Sequence, residues 1–181
     1  MGALLTDRLA YVASIESIDA TAAALARIPN EKTLILGEYG PISPLAVLDR
    51  VRKSFDGAVL LEIIAKNKNR DLIKSAILTS AACGFDGVLL ASGVFTAGGG
   101  TAKPVYDLDP AQMLKLALDL RKHGAVPESF VIAVRSASGN GPAELRARWY
   151  IGEGADYIAL EKGFIPGLEP KTLLVEPVTQ A

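Results

Sequence analysis

The sequence is poor in the residues that build metal centres and disulfides: it has one cysteine, Cys83, and one histidine, His123, among 181 residues. A lone cysteine excludes an intrachain disulfide and a cysteine metal cluster, and it fits a reducing compartment. A lone histidine excludes His-rich metal sites and most Ser–His catalytic schemes. His123 precedes Gly124 at a predicted helix end, where a cation complements the helix dipole, so we expect a structural role for it.

Long charged runs and long apolar runs are also missing. The formal net charge is −1, and no basic stripe is present that would attract a nucleic acid or an anionic membrane. The longest apolar runs, such as Val59–Ile64, fit buried strands and are far too short to span a bilayer. The first residues lack the pattern of a secretory signal. We therefore expect a cytoplasmic protein that binds neither nucleic acid nor membrane.

Instead, the chain alternates short β-branched runs with longer stretches of helical periodicity. Proline directly after Ser43 and after Asp109 marks helix starts, and Gly84 and Gly154 mark helix ends. Strands that are apolar on both faces and separated by helices predict a parallel sheet with right-handed crossovers. The predicted strands are Tyr11–Ile15, Thr33–Leu36, Ala58–Ala65, Gly87–Ala91, Phe130–Val134 and Tyr157–Leu160, and the predicted helices are Asp19–Arg27, Pro44–Lys53, Asp71–Ala82, Pro110–Lys122 and Pro142–Gly152.

The number of strand–helix units limits the fold. Six units, with Thr172–Val175 as a candidate seventh strand, fall short of a (β/α)₈ barrel, which needs at least about 200 residues. We expect residues 1–181 to form a single α/β domain of TIM-barrel-like parallel strand–helix repeats. That barrel is incomplete, closes with fewer strands, or is completed by a partner; periodicity alone also allows a doubly wound open sheet. An unclosed barrel would expose apolar strand edges, so we predict a homo-oligomer or a partner subunit.

Four stretches between residues 59 and 164 carry a family resemblance. The most specific is Lys103–Asp109, Lys-Pro-Val-Tyr-Asp-Leu-Asp, which is followed by Gln-Met-Leu. The others are Lys66–Arg70, which leads into a helix ending Ala-Ala-Cys-Gly, the strand Gly87–Gly93, and Gly154–Ile158. In order and spacing these stretches resemble methylenetetrahydrofolate reductases, especially the bacterial and acetogen-type branch. The resemblance implies a TIM-type barrel that binds FAD at the carboxyl ends of its strands and passes a hydride to methylenetetrahydrofolate.

The resemblance also implies which residues contact FAD. In the family, an aspartate beside the flavin ring tunes its electronics, and this chain has Val94 there, which provides neither a charge nor a hydrogen bond. Asp109 keeps an acidic position associated with FAD, although a helix N-cap before Pro110 explains it equally well. The cofactor-binding residues implied are Asn67, Arg70, Ser92, Gly93 and Asp109.

The catalytic and substrate-binding positions follow from the same resemblance. The family uses a glutamate near the end of an early strand, and both Glu16 and Glu38 match versions of that motif. Such a carboxylate can act as a general acid toward a pterin nitrogen. Glu161 stands where the family has a folate-binding glutamine, and Tyr39 with Gly40 resembles the Tyr-Gly pair that follows the second strand in long family members. Two functions remain open: FAD-dependent reduction of a methylene-pterin, or a non-catalytic pterin-binding or auxiliary subunit that has lost the flavin site.

Two alternatives lie outside this family. Lys66 and Lys162 follow strands, where barrel aldolases can place a Schiff-base lysine, although the matching position within the strand is Ala159. The segment Arg135–Gly141 after a strand predicts either an anion site, built from backbone N–H groups and Arg135, or an ordinary polar loop.

Further features predict packing rather than chemistry. Glu62 lies inside an apolar strand and needs a partner if it is buried; Lys66 or Arg135 would satisfy it. Trp149 and Tyr150 fall within a predicted helix, and we expect them in the core or at an interface.

Overall fold

Parallel strands that close into a barrel form the framework of the protein. The computed structural model describes residues 9–14, 28–29, 32–38, 42–93, 107–138 and 141–177. Within these ranges, strands pair in sequence order and β1 also pairs with β7, so the sheet has no open edge. The predicted TIM-barrel-like α/β fold is confirmed in its compact form, and the candidate seventh strand is the one that closes it. The strands are β1 (Leu9–Ser14), β2 (Thr33–Gly37), β3 (Val59–Ile64), β4 (Gly87–Ala91), β5 (Val131–Arg135), β6 (Tyr157–Leu160) and β7 (Thr172–Pro177).

Helices cover the outside of the barrel between most of these strands. They are α1 (Leu48–Arg52), which follows a 3₁₀ turn at Pro44–Ala46, then α2 (Arg70–Cys83), α3 (Pro110–Lys122) and α4 (Pro142–Glu153); a 3₁₀ turn at Glu169–Lys171 joins β6 to β7. No helix in the described ranges is long and apolar enough to cross a membrane. The predicted helix Asp19–Arg27 lies outside the described residues.

The predicted helix Pro44–Lys53 is divided in the structure. Ser43 is the N-cap residue before Pro44, where a helix start is predicted, but its side chain makes no cap hydrogen bond. The first turn is instead held by the Val47 N–H, which donates to the Pro44 carbonyl oxygen at 3.3 Å in an i→i+3 pattern. A regular helix begins only at Leu48.

The other predicted helix ends agree closely with the structure. Asp109 forms a capping box with Gln112, in which each side chain accepts a hydrogen bond from the other residue's N–H. Gly84 ends α2 with a left-handed φ of 92°. His123 caps α3, and its Nδ1 lies 2.8 Å from the Asp119 carbonyl oxygen. These contacts account for Asp109 and His123 without a ligand.

Side chains along each strand point alternately to the outside and the inside of the barrel, which separates the core into two layers. The outer layer, between strands and helices, contains residues such as Leu36, Ile63 and Leu90. Because strands β2, β3 and β4 are buried on both faces, the inside of the barrel is filled with side chains. The inner layer consists of Ile35, Leu60, Leu89, Val131, Ala133, Tyr157, Ala159, Leu173 and Val175.

Two partly exposed aspartates stabilise the amino end of the barrel in the same way. Asp86, just before β4, accepts hydrogen bonds from Arg52 at 2.6 Å and from the Val59 N–H at 2.8 Å. It therefore joins α1, β3 and β4 at one carboxylate oxygen. Asp156, just before β6, repeats this arrangement with Arg121 of α3.

Candidate functional site

Two adjoining cavities lie at the carboxyl ends of β4, β5 and β6. In α/β barrels the loops at this end carry the ligand, so this is the candidate site. The cavities share Ser92, Arg135, Ser136 and Ala137. The first, which we call the mouth cavity, has about 420 Å³ and is lined by Ser92, Arg135, Ser136, Ala137, Ser138, Glu161 and Lys162. The second, the helix cavity, has about 600 Å³ and is lined by Ser92, Asp109, Pro110, Ala111, Arg135, Ser136, Ala137, Arg146, Trp149 and Tyr150.

An ion pair between Glu62 and Arg135 crosses the inside of the barrel behind these cavities. Glu62 on β3 is fully buried, and its Oε1 accepts from Arg135 Nε at 2.9 Å and lies 2.8 Å from Nη2. Arg135 is in register with Ala159, an inner-layer residue, so its side chain points inward. Of the two partners predicted for Glu62, Arg135 is confirmed. The pair fixes the guanidinium at the mouth of the barrel.

The remaining contact of Arg135 is weaker. Its Nη1 lies 3.7 Å from Glu161 Oε1, too far for a hydrogen bond. The Glu161 side chain is 75% exposed, so solvent screens this interaction. Glu161 can therefore turn toward a ligand at little cost.

The helix cavity has an aromatic and a charged wall. Trp149 and Tyr150 meet edge to face with ring centroids 5.5 Å apart, and Lys115 lies 5.5 Å above the Trp149 ring. Burial raises the pKa of Tyr150 above its ordinary value of 10.0; the nearby Arg146 opposes this shift and Asp109 adds to it. Tyr150 is buried, as expected from the sequence, whereas Trp149 is partly exposed at the cavity. The cavity thus combines an aromatic surface with a cation and a phenol.

Three of the residues implied by the family resemblance come together here. Ser92 lines both cavities, Asp109 lines the helix cavity, and Glu161 lines the mouth cavity. They come from three separate parts of the sequence. The parallel topology brings them together because β4, β5 and β6 are neighbours in the sheet.

Three other implied cofactor residues do not line these cavities. Asn67 and Arg70 are both exposed; Arg70 is the first residue of α2, and its N–H donates to Asp107 at 2.8 Å. Asn67 has a left-handed φ of 64° in the turn after β3. Gly93 has a φ of 85°, and a Cβ there would lie 2.4 Å from Ile64 Cγ2, so close packing alone requires glycine.

Of the two candidate catalytic glutamates, Glu38 lies within the described residues. Glu16 lies outside the described residues, as do Tyr39 and Val94. Glu38, at the end of β2, is largely buried; its Oε2 accepts from Lys68 Nζ at 2.7 Å and from the Ile64 N–H at 3.0 Å. It lines neither cavity. These contacts make Glu38 a bridge between β2 and β3.

Several cavity residues were missed by sequence reasoning. Arg146 and Tyr150 reach the site from α4, and the rotation of that helix against the sheet is not encoded in a local motif. Ser136 was not missed, because it belongs to the segment Arg135–Gly141 that the sequence predicts as an anion site or a polar loop. Lys162 is exposed, so it lacks the desolvation that an imine-forming lysine needs, and Ala159 occupies the position within the strand.

Comparisons with known proteins bear on the fold. No protein-family model matches the sequence, and no curated protein sequence matches it. Solved structures do match: 2,3-dimethylmalate lyase, of the PEP mutase/isocitrate lyase superfamily, has a TM-score of 0.58 at 14% identity, over 87% of this chain and 60% of that one. Orotidine 5'-monophosphate decarboxylase from Methanocaldococcus jannaschii has a TM-score of 0.63 at 9% identity, over 95% and 89%.

A third structure is a mutant flavocytochrome b2 with pyruvate bound, with a TM-score of 0.58 at 9% identity. It is matched over 87% of this chain and 43% of its own length. The chain therefore spans less than two thirds of the lyase and of the flavocytochrome, but most of the decarboxylase. At these identities the likeness establishes the barrel fold alone.

Proposed function

We propose that this chain is a methylenetetrahydrofolate reductase-like protein of one-carbon metabolism that binds a pterin at the carboxyl ends of β4–β6. The observation that carries this proposal is the convergence of Ser92, Asp109 and Glu161 on connected cavities. A pterin ring presents a carbonyl acceptor beside N–H donors. Arg135 can donate to the acceptor, and the exposed carboxylate of Glu161 can accept from the donors.

The activity we propose is FAD-dependent reduction of a methylene-pterin. The helix cavity fits part of a flavin nucleotide because it offers an aromatic wall, Trp149 and Tyr150, next to the cation Arg146. Arg146 and Tyr150 would hold the nucleotide, with Ser92 at the junction toward the pterin. FAD, when bound, supplies the hydride carrier.

A second candidate is a non-catalytic pterin-binding or auxiliary protein without flavin chemistry. The specific observation in its favour concerns Glu38, because one oxygen of its carboxylate already accepts from Lys68 and from the Ile64 N–H. The same oxygen bridges two strands rather than lining either cavity. Among the described residues, this candidate for the general acid is thus used structurally.

The first experiment is an absorbance titration of the purified chain with FAD, followed by methyltetrahydrofolate. We expect FAD to bind with a shifted flavin spectrum and Arg146→Met to weaken that binding. Arg148→Met is the matched control, since Arg148 lies on the same helix but pairs with Glu144 and with the Pro166 carbonyl oxygen. Binding of the folate without FAD would favour the second candidate. Binding of neither would contradict both.

We also propose that the chain is cytoplasmic and associates with itself or with a partner subunit. Strand edges do not supply the reason, because β1 and β7 pair and the barrel is closed. The support is apolar side chains at the surface: Leu145 is 69% exposed, Leu72 55% and Phe164 47%. Light scattering of the purified protein at micromolar concentration tests this, and a monodisperse monomer would contradict self-association.

A further inference from the structure

Ser136, which lines both cavities, carries a buried hydroxyl without a partner among the described residues. Ser136 is 9% exposed, and its Oγ makes no hydrogen bond within the described part of the chain. Its backbone N–H is used by the sheet, donating to the Ala159 carbonyl oxygen at 3.0 Å. A buried hydroxyl without a partner is destabilising, and most such groups in proteins are paired. The Ser136 hydroxyl therefore points to a ligand atom that the described residues do not provide.

The neighbouring guanidinium also has donors to spare. Arg135 uses Nε and Nη2 on a single oxygen of Glu62. Within the described residues, Nη1 makes no hydrogen bond, and its ion-pair contact with Glu161 Oε1 spans 3.7 Å. The contacts to Glu62 hold the planar fork in place, so the direction of the Nη1 donors is fixed in advance.

Other donors surround this pair. Ser92 and the exposed Lys162 line the same mouth cavity, and among the described residues Glu161 is the one carboxylate on its wall. The Lys162 N–H donates to Ser138 Oγ at 3.0 Å, which ties the loops after β5 and β6 together. The cavity thus has more donors than acceptors, and two positively charged groups lie at its wall. Such a site fits a ligand group that is negatively charged and accepts hydrogen bonds.

We propose that the mouth cavity binds an oxyanion, the carboxylate or phosphate group of a small molecule, through Arg135 Nη1 and Ser136 Oγ. Lys162 and Ser92 complete the donor set. Glu161 is the resting neighbour of Arg135, and the incoming anion takes its place while the exposed Glu161 side chain turns to solvent. The donors are side chains, not the backbone N–H groups considered for this loop from sequence. This subsite exists whether or not the cleft takes a pterin.

The test is a titration of the purified full chain with inorganic phosphate and, separately, with acetate, in a chloride-free buffer of low ionic strength. Backbone amide NMR signals report the position of binding. We expect saturable shifts centred on Arg135, Ser136 and Lys162 with at least one of the two anions. The tighter of the two identifies the group as phosphate or carboxylate. If neither anion gives saturable shifts there, water alone satisfies Ser136 and the proposal is wrong.

Ser136→Ala separates a binding role from a packing role. The variant should weaken the anion about tenfold, the effect of one hydrogen bond to a charged group. It should leave the midpoint of urea unfolding unchanged or slightly higher, because the hydroxyl has no partner in the described protein. Ser54→Ala is the matched control at the opposite end of the barrel, where Ser54 donates to the Val51 carbonyl oxygen. Equal affinity in Ser136→Ala and Ser54→Ala would overturn the proposal.

Glu161→Leu, which removes both the carboxylate and the acceptor, distinguishes this subsite from the pterin proposal. Removing the competing carboxylate should tighten the anion severalfold. The same change should weaken methyltetrahydrofolate if Glu161 accepts from a pterin. Unchanged folate affinity together with a tighter anion would therefore count against the pterin and not against the subsite.

Discussion

Replacing Asp156 with alanine tests the aspartate contact that stabilises the amino end of the barrel. Asp156 Oδ2 accepts from Arg121 Nη1 at 2.6 Å and from the Ile132 N–H at 2.8 Å. Arg121 also donates to the Phe130 carbonyl oxygen at 3.0 Å. One oxygen therefore connects α3, the start of β5 and the residue before β6. The side chains of Arg121 and Asp156 are 19% and 33% exposed, so the pair is partly shielded from solvent.

The size of the effect follows from these contacts. A hydrogen bond to a charged group contributes about 1.5–3 kcal/mol when it is shielded from solvent. Because about a third of the Asp156 side chain is exposed, we reduce the contribution of each bond to about 1–1.5 kcal/mol. Two bonds give a loss of about 2–3 kcal/mol in the free energy of unfolding for Asp156→Ala. For a chain of 181 residues this lowers Tm by about 5–10 °C.

The assay is urea unfolding followed by circular dichroism, with Asp119→Ala as the control. Asp119 is also an aspartate, but its side chain is 64% exposed, and its contact is with His123 one helical turn away. We expect that control to change stability by no more than about 0.5 kcal/mol. If Asp156→Ala loses no more stability than Asp119→Ala, the Asp156 contacts do not contribute to the stability of the fold and the reasoning is wrong.

Three further predictions concern single positions. Gly93→Ala should lower the free energy of unfolding, measured in urea, by at least about 2 kcal/mol, because it adds backbone strain and steric overlap with β3. Gly84→Ala is the control: its φ is similar but no atom lies within 4 Å of the added Cβ, so it should show the loss from backbone strain alone. Arg135→Met should lose about 3–5 kcal/mol because it leaves Glu62 buried without that cation, and adding Glu62→Leu should restore most of the loss. Because the pKa of Tyr150 is raised in the folded state, stability should fall as pH rises above 10.0, and Tyr150→Phe should have a smaller fall over that range; equal slopes would contradict this.

Much of the fold was predictable because its boundaries have local causes. The predicted strands at 87–91 and 157–160 agree with the structure to the residue, since glycine or aspartate precedes each apolar run. The helix Pro110–Lys122 also agrees, because its capping box and terminal glycine are local signals. Closure was not predictable in this way. The pairing of β1 with β7 joins residues about as far apart as the chain allows, and no periodicity reports it.

The site was predictable only in the part that follows strands. Ser92 and Glu161 come directly after β4 and β6, and parallel strands bring such positions to one end of the barrel. Arg146 and Tyr150 depend on how α4 rotates against the sheet, which is a property of packing. Glu38 shows the opposite limit: the family resemblance implied chemistry for it, whereas in the structure it accepts from Lys68 and the Ile64 N–H and joins two strands.

The size of the barrel gives a physical reason for a polar mouth. Barrel diameter grows with strand number, so the described seven-stranded barrel is narrower inside than an eight-stranded one. Its inward positions near the carboxyl end include the small residues Ala91 and Ala159, and Ala159 is in register with Arg135. Alanine there leaves the space in which the arginine side chain reaches across to Glu62. A ligand at this mouth therefore meets a fixed guanidinium in the place that a larger apolar side chain would otherwise fill. Recognition of the ligand should for this reason depend on charge and hydrogen bonding more than on buried apolar area.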